Sequence, residues 1–264
     1  MSIIEVDRVS KAFWIPTIRR DTVREHIMGL LQPRSFERLQ VLDEVSFEVR
    51  RGESLGIMGR NGSGKSTLLK ILSGIYAPDR GRVSVRAPVT PILELGVGWN
   101  PELDAVDNVF LIGTVMGLTL AEIRRSMHEI LAFAEVERFA HLKLKHYSSG
   151  MSSRLAYAVA FRAVTDVLIL DEIFAVGDAG FKERCEQRYR ELRSLGHTII
   201  IVSHAPPIIS RFCDRALLID AGRVILDGPA NEVADRYVST LTPGTYSAGT
   251  AAGAPAAHQG PFGL

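Results

Sequence analysis

Short apolar runs recur along the chain, and most of them have the length of buried strands. Runs of about four to eight apolar or alternating residues, bounded by Gly, Pro, Asp or charged residues, are typical of β-strands. Strands are predicted at Ile3–Val9, Val45–Val49, Ser54–Met58, Arg82–Val85, Val167–Asp171, Thr198–Ser203, Ala216–Asp220 and Arg223–Leu226. The last two flank Ala221-Gly222, a dipeptide that favours a tight hairpin.

Apolar residues have helical spacing between and after several of these strands. Thr67–Ser73 shows this spacing soon after the strand at Ser54–Met58. Residues 98–160 are predicted to be mostly helical, and Thr119-Leu-Ala-Glu122 is a capping box that begins a helix extending to about Phe133. Because helices alternate with the later strands, we expect a three-layer α/β sheet with an inserted helical subdomain.

The composition fits one folded domain followed by a tail. Of the 264 residues, 46% are hydrophobic, and the formal net charge is +1. A chain of this length can bury one substantial core. From Leu241 onward it contains no Asp, Glu, Lys or Arg and is rich in Thr, Gly, Ala, Pro and Ser. We therefore expect a folded domain over residues 1–240 and a disordered tail over residues 241–264.

Several classes of protein are disfavoured by the sequence. No apolar run reaches the roughly 18–20 residues that cross a bilayer, and Arg162 and Asp166 interrupt the most apolar segment. The N-terminus lacks the basic start and apolar block of a signal peptide. Cys185 and Cys213 have no metal-ligand spacing and indicate ordinary thiols in a reducing compartment. The near-neutral charge argues against a nucleic-acid partner.

The most informative motif is GRNGSGKS at Gly59–Ser66, which matches the phosphate-loop pattern G-x-x-x-x-G-K-[ST]. It lies between a predicted strand and a predicted helix, as this loop requires. Its glycines allow successive N–H groups to turn towards phosphate oxygens, and the helix adds the positive end of its dipole. Lys65 is expected to reach the β- and γ-phosphates, and Ser66 to ligate Mg²⁺.

Two adjacent carboxylates follow the apolar strand Val167–Leu170. Carboxylates at the end of a buried strand are unfavourable unless something neutralises them. Asp171 is predicted to hold Mg²⁺ through its water shell, and Glu172 to polarise the attacking water as a general base. In isolation such a pair is more often the cap of the next helix. The phosphate loop about a hundred residues earlier favours the catalytic interpretation.

Two further segments complete an ordered set. Tyr147-Ser-Ser-Gly-Met151 begins the helical run Ser152–Phe161, and a Ser/Gly turn at a helix start can bind an anion. Taken alone, such a turn is more often a simple helix cap. Ile200-Ile-Val-Ser-His204 is an apolar strand that ends in a histidine, and the family resemblance given below implies that this histidine hydrogen-bonds to the γ-phosphate. A lone histidine at a strand end is usually structural.

Over residues 3–240 the chain resembles the ATPase subunits of ABC transporters. More narrowly, it resembles the ATP-binding subunits of ABC-2-type bacterial exporters of O-antigen, capsular and teichoic-acid-like polymers. The shared segments are VSKAF, GRNGSGKSTLLKILSGI, LELGVGWNPELDAVDN, YSSGMSSRLAYAVAF, LDEIFAVGDAGF and IVSH. YSSGM replaces the general LSGGQ, AVGD at Ala175–Asp178 replaces the usual D-loop, and LELG stands where most members have a glutamine.

The resemblance implies a fold and a set of roles. The fold is a P-loop NTPase (ABC ATPase) core with an inserted helical subdomain and an antiparallel β subdomain. Lys65, Glu172 and His204 are implied as catalytic residues, and Ser66, Asp171 and Glu94 as ligands of Mg²⁺. The residues implied to bind ATP are Phe13, Gly59, Asn61, Gly62, Ser63, Gly64, Lys65, Ser66, Thr67, Ser148, Ser149 and Gly150.

Two of these assignments, Phe13 and Glu94, do not follow directly from a shared motif. Phe13 falls where an aromatic ring stacks on adenine, with Trp14 as its rival and a core aromatic as the third possibility. Glu94 is the nearest equivalent of the missing glutamine. The resemblance also implies a head-to-tail homodimer in which Ser148 and Gly150 of one chain complete the ATP site of the other.

The implied partners follow from that arrangement. Loss of the γ-phosphate opens the dimer, and the motion passes to a separate membrane permease that exports a lipid-linked polysaccharide. The chain is thus expected at the cytoplasmic face of the cytoplasmic membrane. Some relatives continue into a carbohydrate-binding domain. Because this chain stops at Leu264, we expect no glycan recognition by this subunit.

An insertion at about residues 14–40 separates the first two predicted strands. Asp21 is placed to cap a helix that carries Val23, Ile27, Leu30 and Leu31 on one face. Four arginines surround this helix, at positions 19, 20, 24 and 34. It is predicted either to rest near the membrane surface or the permease, or to pack on the chain's own core.

Rival functions remain at this point. A drug- or lipid-exporting ABC ATPase has the same catalytic set and differs only in the middle motifs. ABC proteins that act on ribosomes or DNA need tandem cassettes or long coiled coils, which the sequence lacks. A regulatory binder without catalysis is disfavoured by Glu172 and His204, and a GTPase by the absence of an N-K-x-D stretch.

Overall fold

The structure, a computed structural model, describes residues 1–16, 36–92, 98–171 and 178–241. Its strands form a three-stranded and a six-stranded sheet. The strands are β1 (Ser2–Pro16), β2 (Phe36–Arg50), β3 (Ser54–Met58), β4 (Arg80–Val85), β5 (Val89–Ile92), β6 (Val167–Asp171), β7 (Thr198–Val202), β8 (Arg215–Asp220) and β9 (Arg223–Pro229). The helices are α1 (Lys65–Leu72), α2 (Ala105–Val115), α3 (Leu120–Ala134), α4 (Ser149–Arg162), α5 (Ala179–Ser194), α6 (Pro206–Phe212) and α7 (Ala230–Leu241).

The six-stranded sheet has the order β5-β6-β7-β3-β8-β9. All neighbouring strands from β5 to β8 in this order pair in parallel. Strand β9 pairs with β8 in antiparallel orientation. Because parallel strands end at the same edge, the carboxyl ends of β3, β6 and β7 lie together there. The turn between β8 and β9 has φ of 45° at Ala221 and 78° at Gly222, as the sequence predicted for a tight hairpin.

Alternate residues of the central strands face two different layers. Leu55 and Ile57 of β3 pack with β1, β2 and α1, whereas Leu168 and Leu170 of β6 pack with α5, α6 and α7. All four side chains have no exposed surface. A continuous apolar strand that is covered on both faces is the expected result of a parallel sheet between helices. The predicted three-layer α/β fold is therefore confirmed.

The three-stranded sheet is antiparallel, with the order β2-β1-β4. Its strands β1 and β2 are longer than the sequence predicted, and they pair as far as Pro16 and Phe36. Residues 14–16 and 36–40 continue these two strands. The insertion predicted at about residues 14–40 was therefore too long at both ends. The helix predicted after Asp21 lies outside the described residues.

The helical subdomain comprises α2, α3 and α4, as predicted for residues 98–160. Thr119 and Glu122 form the predicted capping box at the start of α3. The subdomain has its own core, in which Val109, Ile123 and Leu155 are fully buried. The tail after Leu241 lies outside the described residues, so its predicted disorder stays a prediction.

Candidate functional site

The phosphate loop connects the end of β3 to the start of α1. Gly59, Gly62 and Gly64 have φ of 156°, 81° and 105°, which side chains disfavour. A Cβ on Gly64 would lie 2.7 Å from the carbonyl oxygen of Val41. A Cβ on Gly59 would collide with the carbonyl oxygen of Ile219. These two glycines are thus required both by conformation and by the closeness of neighbouring backbone.

Several hydrogen-bond donors converge on this loop. Helix α1 begins after Gly64 without a side-chain cap, so its first amides and its positive end face the loop. The Lys65 ammonium donates to the carbonyl oxygens of Gly59 at 2.7 Å and Arg60 at 2.9 Å. The buried Ser63 hydroxyl has no hydrogen-bond partner within the described residues. This group of donors fits a polyphosphate.

An open cleft of about 660 Å³ lies over the loop. It is lined by Leu39, Val41, Asn61, Gly62, Gly64, Lys65, Ser66, Thr67 and Asp171. Asp171 joins the loop residues because β6 and β3 both pair in parallel with β7. Sequence reasoning missed Leu39 and Val41, since it assigned residue 39 to the insertion. The alternation of Leu39, Gln40 and Val41 was the available signal for a strand.

The oxygen atoms of the cleft suit a hard cation. Ser66 and Asp171 supply a hydroxyl and a carboxylate, and Mg²⁺ prefers such oxygen ligands completed by water and substrate phosphates. Within the described ranges, no group of three or more His, Cys, Asp or Glu side chains forms a separate metal site. Glu94, the third ligand implied by sequence, lies outside those ranges.

Phe13 lies on β1 opposite Leu39 of β2, whereas Trp14 lies opposite Arg38. Paired residues of antiparallel strands share a face, so Phe13 is on the face of the cleft-lining Leu39. The Phe13 ring also packs edge-on against Tyr76 at 5.7 Å between centroids. Trp14 is on the opposite face and is 68% exposed. This geometry favours Phe13 over Trp14 as the ring near the nucleotide.

Asp79 fixes the backbone immediately before Phe13. Its carboxylate accepts hydrogen bonds from the Lys11 ammonium at 2.8 Å and from the Ala12 amide at 2.7 Å. These two bonds, the one from Lys11 above all, hold the pKa of Asp79 below its usual range. Asp79 thus anchors the two residues of β1 that precede Phe13.

His204 follows β7 at the edge of the sheet where Asp171 ends β6. His204 comes two residues after β7 and is exposed. Its neighbour Ser203 donates from its amide to the carbonyl oxygen of Ile57 in β3, at 3.3 Å. Glu172 directly follows Asp171 but lies outside the described residues, so its role stays a prediction.

The predicted signature turn is a helix start that stands apart from the cleft. Ser148 is the N-cap of α4, and its hydroxyl accepts a hydrogen bond from the Met151 amide at 3.2 Å. Ser148 and Ser149 are exposed, and Gly150 is half-buried. None of the three is among the residues that line the cleft of the same chain. Within one chain, the structure therefore does not bring the signature to the phosphate loop.

The fold and the cleft define a phosphate-loop nucleoside triphosphatase that carries an inserted helical subdomain. The family described as ABC transporter matches residues 42–175. The chain belongs to this family and is an ABC ATPase, as the resemblance predicted.

Individual relatives agree with this membership. The chain is 39% identical over 240 residues to the ABC transporter protein AbcA of Aeromonas salmonicida, covering 90% of this chain and 77% of the relative. It is 37% identical over 248 residues to the O-antigen export system ATP-binding protein RfbB of Myxococcus xanthus, covering 92% and 57%. It is 37% identical over 196 residues to the teichoic acids export ATP-binding protein TagH of Bacillus anthracis, covering 74% and 36%. The chain thus spans only part of the last two proteins.

Solved structures show the same fold. An ATP-binding subunit of an ABC transporter superposes with a TM-score of 0.70 at 25% identity, covering 90% of this chain and 94% of the other. A dimeric ATP-binding cassette in a post-hydrolysis state, bound to ADP and Pi, superposes with a TM-score of 0.68 at 23% identity. That match covers 86% of this chain and 98% of the other.

Proposed function

We propose that this chain is the ATP-hydrolysing subunit of an exporter that carries a lipid-linked cell-surface polysaccharide across the cytoplasmic membrane. The observation that carries the proposal is the cleft in which Lys65, Ser66 and Asp171 meet. The polysaccharide class is supported by relatives at 36–37% identity that are named as O-antigen and teichoic acid export ATP-binding proteins.

The residues implied by the family resemblance have separate tasks towards the substrate ATP. Lys65 and the first amides of α1 bind the phosphates, and Phe13 stacks on the adenine. Ser66 and Asp171 hold Mg²⁺, which when bound neutralises charge on the phosphates. Glu172 accepts a proton from the attacking water, and His204 hydrogen-bonds to the γ-phosphate.

The site is completed by a second copy of the chain. The uncovered start of α4, with the exposed Ser148 and Ser149, is suited to an anion that another molecule presents. Two chains related by a twofold axis would each offer this helix start to the other's ATP. The separation of signature and cleft within one chain supports this arrangement.

Transport requires a membrane partner. No helix in the described parts of the chain is both long and apolar enough to cross a bilayer. A separate ABC-2-type permease would supply the translocation path and hold this subunit at the cytoplasmic face, in keeping with the relatives that are named as ATP-binding proteins of export systems. Nucleic acid is not part of the proposed mechanism.

The enzymatic part of the proposal is tested by substituting Glu172 with Gln in the full chain. We expect the purified protein to hydrolyse ATP, and Glu172→Gln to reduce kcat by roughly 100-fold or more while ATP binding is kept. An ATP-dependent dimer should accumulate in the variant, as measured by light scattering after size-exclusion chromatography. Undiminished turnover would exclude Glu172 as the base.

The transport part is tested in cells of the source organism. Deletion of the gene should leave the lipid-linked polymer on the cytoplasmic side of the membrane. Reintroduction of the wild-type gene should restore the polymer to the cell surface. The Lys65→Ala gene should fail to restore it. A normal surface polymer in the deletion strain would instead favour export of a drug or a different lipid.

A further inference from the structure

The phosphate loop is contacted by the end of β8 and by the turn that follows it. We call residues 220–223 the β8–β9 turn. The Gly222 amide donates a hydrogen bond to the carbonyl oxygen of Ser63 at 3.1 Å. At the start of the loop, a Cβ on Gly59 would collide with the carbonyl oxygen of Ile219, the residue before the turn. Strand β8 and its turn therefore touch the loop at two separate points.

The β8–β9 turn is also fixed to β2. The Gly222 carbonyl oxygen accepts a hydrogen bond from the Asp43 amide, and the Arg223 Nε donates to the Asp43 carboxylate, both at 2.9 Å. Gly222 is buried with φ of 78°, and a Cβ there would collide with the carbonyl oxygen of Val41. The same oxygen would lie 2.7 Å from a Cβ on Gly64. The backbone of β2 thus leaves no space for a side chain at either glycine.

The hydrogen bond from Gly222 sets the orientation of one peptide group of the loop. The Ser63 carbonyl and the Gly64 N–H belong to the same peptide, and no peptide bond among the described residues is cis. In a trans peptide the N–H points away from the carbonyl oxygen. Because the Gly222 amide holds that oxygen on the side of the turn, the Gly64 N–H is directed to the opposite side. Gly64 lines the cleft, and its amide has no hydrogen-bond acceptor within the described residues.

We propose that Gly222 is a positioning residue for nucleotide binding, because its amide holds the Ser63–Gly64 peptide with the Gly64 N–H towards the phosphates. This inference rests on the proposed function, in which the phosphate loop binds the phosphates of ATP. Arg223 and Asp43 act one step further away, since their ion pair keeps the turn against β2. The orientation of an amide in the loop is thus set by a strand pair more than 150 residues further along the chain.

The test compares ATP with inorganic tripolyphosphate, which has the phosphates of ATP but no base. Both dissociation constants are measured on the full chain by displacement of a fluorescent ATP analogue. In Gly222→Ala, the added Cβ should push the turn away from β2 and its amide away from Ser63. We expect the Kd to rise by roughly tenfold or more for both ligands, which is the effect of losing one hydrogen bond to a charged group.

Two variants control for backbone strain. Gly196 lies between α5 and β7 with a similar φ of 83°, but an added Cβ would meet nothing within 4 Å. Gly196→Ala should lower thermal stability and change both Kd values by less than about twofold. Ala221→Gly alters the β8–β9 turn itself, at an exposed residue with φ of 45°, and should also leave both Kd values unchanged.

A charge reversal tests the same link without adding volume beside Val41. The Arg223 side chain is 64% exposed, so Arg223→Asp should fold normally. Two carboxylates would then face each other between the turn and β2, and we expect both Kd values to rise by roughly threefold. Combining this substitution with Asp43→Arg restores an ion pair and should return both constants close to the wild-type values.

Each outcome decides the inference. Wild-type Kd values in Gly222→Ala, or an equal rise in Gly196→Ala, would overturn it and leave the proposed function standing. A rise for ATP alone would also overturn it, since the cleft wall at Leu39 and Val41 would then have moved instead of the loop.

The charge reversal decides the inference if Gly222→Ala does not fold. Unchanged Kd values in Arg223→Asp, or a rise that Asp43→Arg does not reverse, would overturn the inference. If the wild type failed to bind tripolyphosphate, the phosphate-binding role proposed for the loop would be wrong, and the inference with it.

Discussion

At position 64 the backbone leaves no room for a side chain. Gly64 has φ of 105°, and a Cβ there would lie 2.7 Å from both the Val41 oxygen and a Leu42 methyl group. We expect Gly64→Ala to weaken ATP binding by roughly tenfold or more, since left-handed strain alone is worth about 1–2 kcal/mol. Isothermal titration calorimetry would measure the change.

The control for this prediction is Gly74→Ala. Gly74 also has a left-handed φ, of 72°, but an added Cβ would meet nothing within 4 Å. It lies just beyond α1 and outside the cleft. The control should lower thermal stability slightly and leave the Kd for ATP unchanged. Equal effects of both substitutions on ATP binding would mean that a general loss of stability, not the closeness of Gly64 to β2, weakens binding.

The Asp79 carboxylate should make the free energy of unfolding fall at acidic pH. Because its pKa is lowered in the folded state, its contribution is present above the usual pKa and is lost as the pH falls. Protonation would remove the ion pair with Lys11 and weaken the hydrogen bond from the Ala12 amide. We expect Asp79→Asn to lose less stability than the wild type between pH 6 and pH 3, as measured by urea unfolding. Parallel pH profiles of the two proteins would contradict this.

At the scale of elements, Asn108 joins α2 to the loop before it. Its side chain has no exposed surface, accepts a hydrogen bond from the Asn100 amide and donates to the carbonyl oxygens of Asn100, Leu103 and Asp104. We expect Asn108→Ala to lower the free energy of unfolding by about 2–3 kcal/mol, because it leaves buried polar groups without partners. Chemical denaturation would measure this.

The neighbouring Asp107→Asn serves as the control for Asn108. Asp107 lies on the same turn of α2 but is exposed, so its substitution should change the free energy of unfolding by less than about 0.5 kcal/mol. If the two variants were equally stable, the hydrogen bonds of Asn108 would not be needed to hold the loop.

Strands whose burial shows as a local apolar pattern were predicted well, whereas a strand that depends on its place in the sheet was not. Strands β3 and β6 were predicted with the correct bounds, because both are continuous apolar runs buried on two faces. Strand β5 was missed, since Pro91 lies within it. Proline is tolerated there because β5 lies at the edge of the sheet and, among the described residues, pairs only with β6. Edge position depends on the tertiary fold and is invisible in the local sequence.

Some parts of the candidate site could be predicted from the sequence, and others became visible only in the structure. The phosphate loop could be predicted from sequence because its motif and its backbone geometry have one cause, the approach of N–H groups to phosphates. The place of Leu39 in the cleft and the choice of Phe13 over Trp14 could be recognised only from the pairing of β1 with β2. The ion pairs of Arg154 with Glu135 and Asp178 also required the structure, since these residues are distant in sequence and meet only through the packing of α3, α4 and α5.

At the scale of the whole molecule, the separation of Gly150 from the cleft predicts complementation between two inactive chains. Lys65→Ala disables the phosphate loop. Gly150→Asp places a negative charge at the start of α4, where the fold accepts it because the nearest atom to a new Cβ is 3.9 Å away. Each variant alone should hydrolyse no ATP.

In a mixed dimer of these two chains, one site contains both substitutions and the other contains neither. Half of the dimers in an equal mixture are mixed, so we expect about a quarter of the wild-type ATPase rate if the sites act independently. The control is the double variant, Lys65→Ala with Gly150→Asp in one chain, mixed with either single variant, which leaves no intact site. Lack of recovery could also arise if both ATP molecules must be hydrolysed together, so occlusion of ATP is measured as well, in the Glu172→Gln background. If the mixture neither turns over nor occludes ATP, the signature of one chain does not complete the phosphate loop of the other.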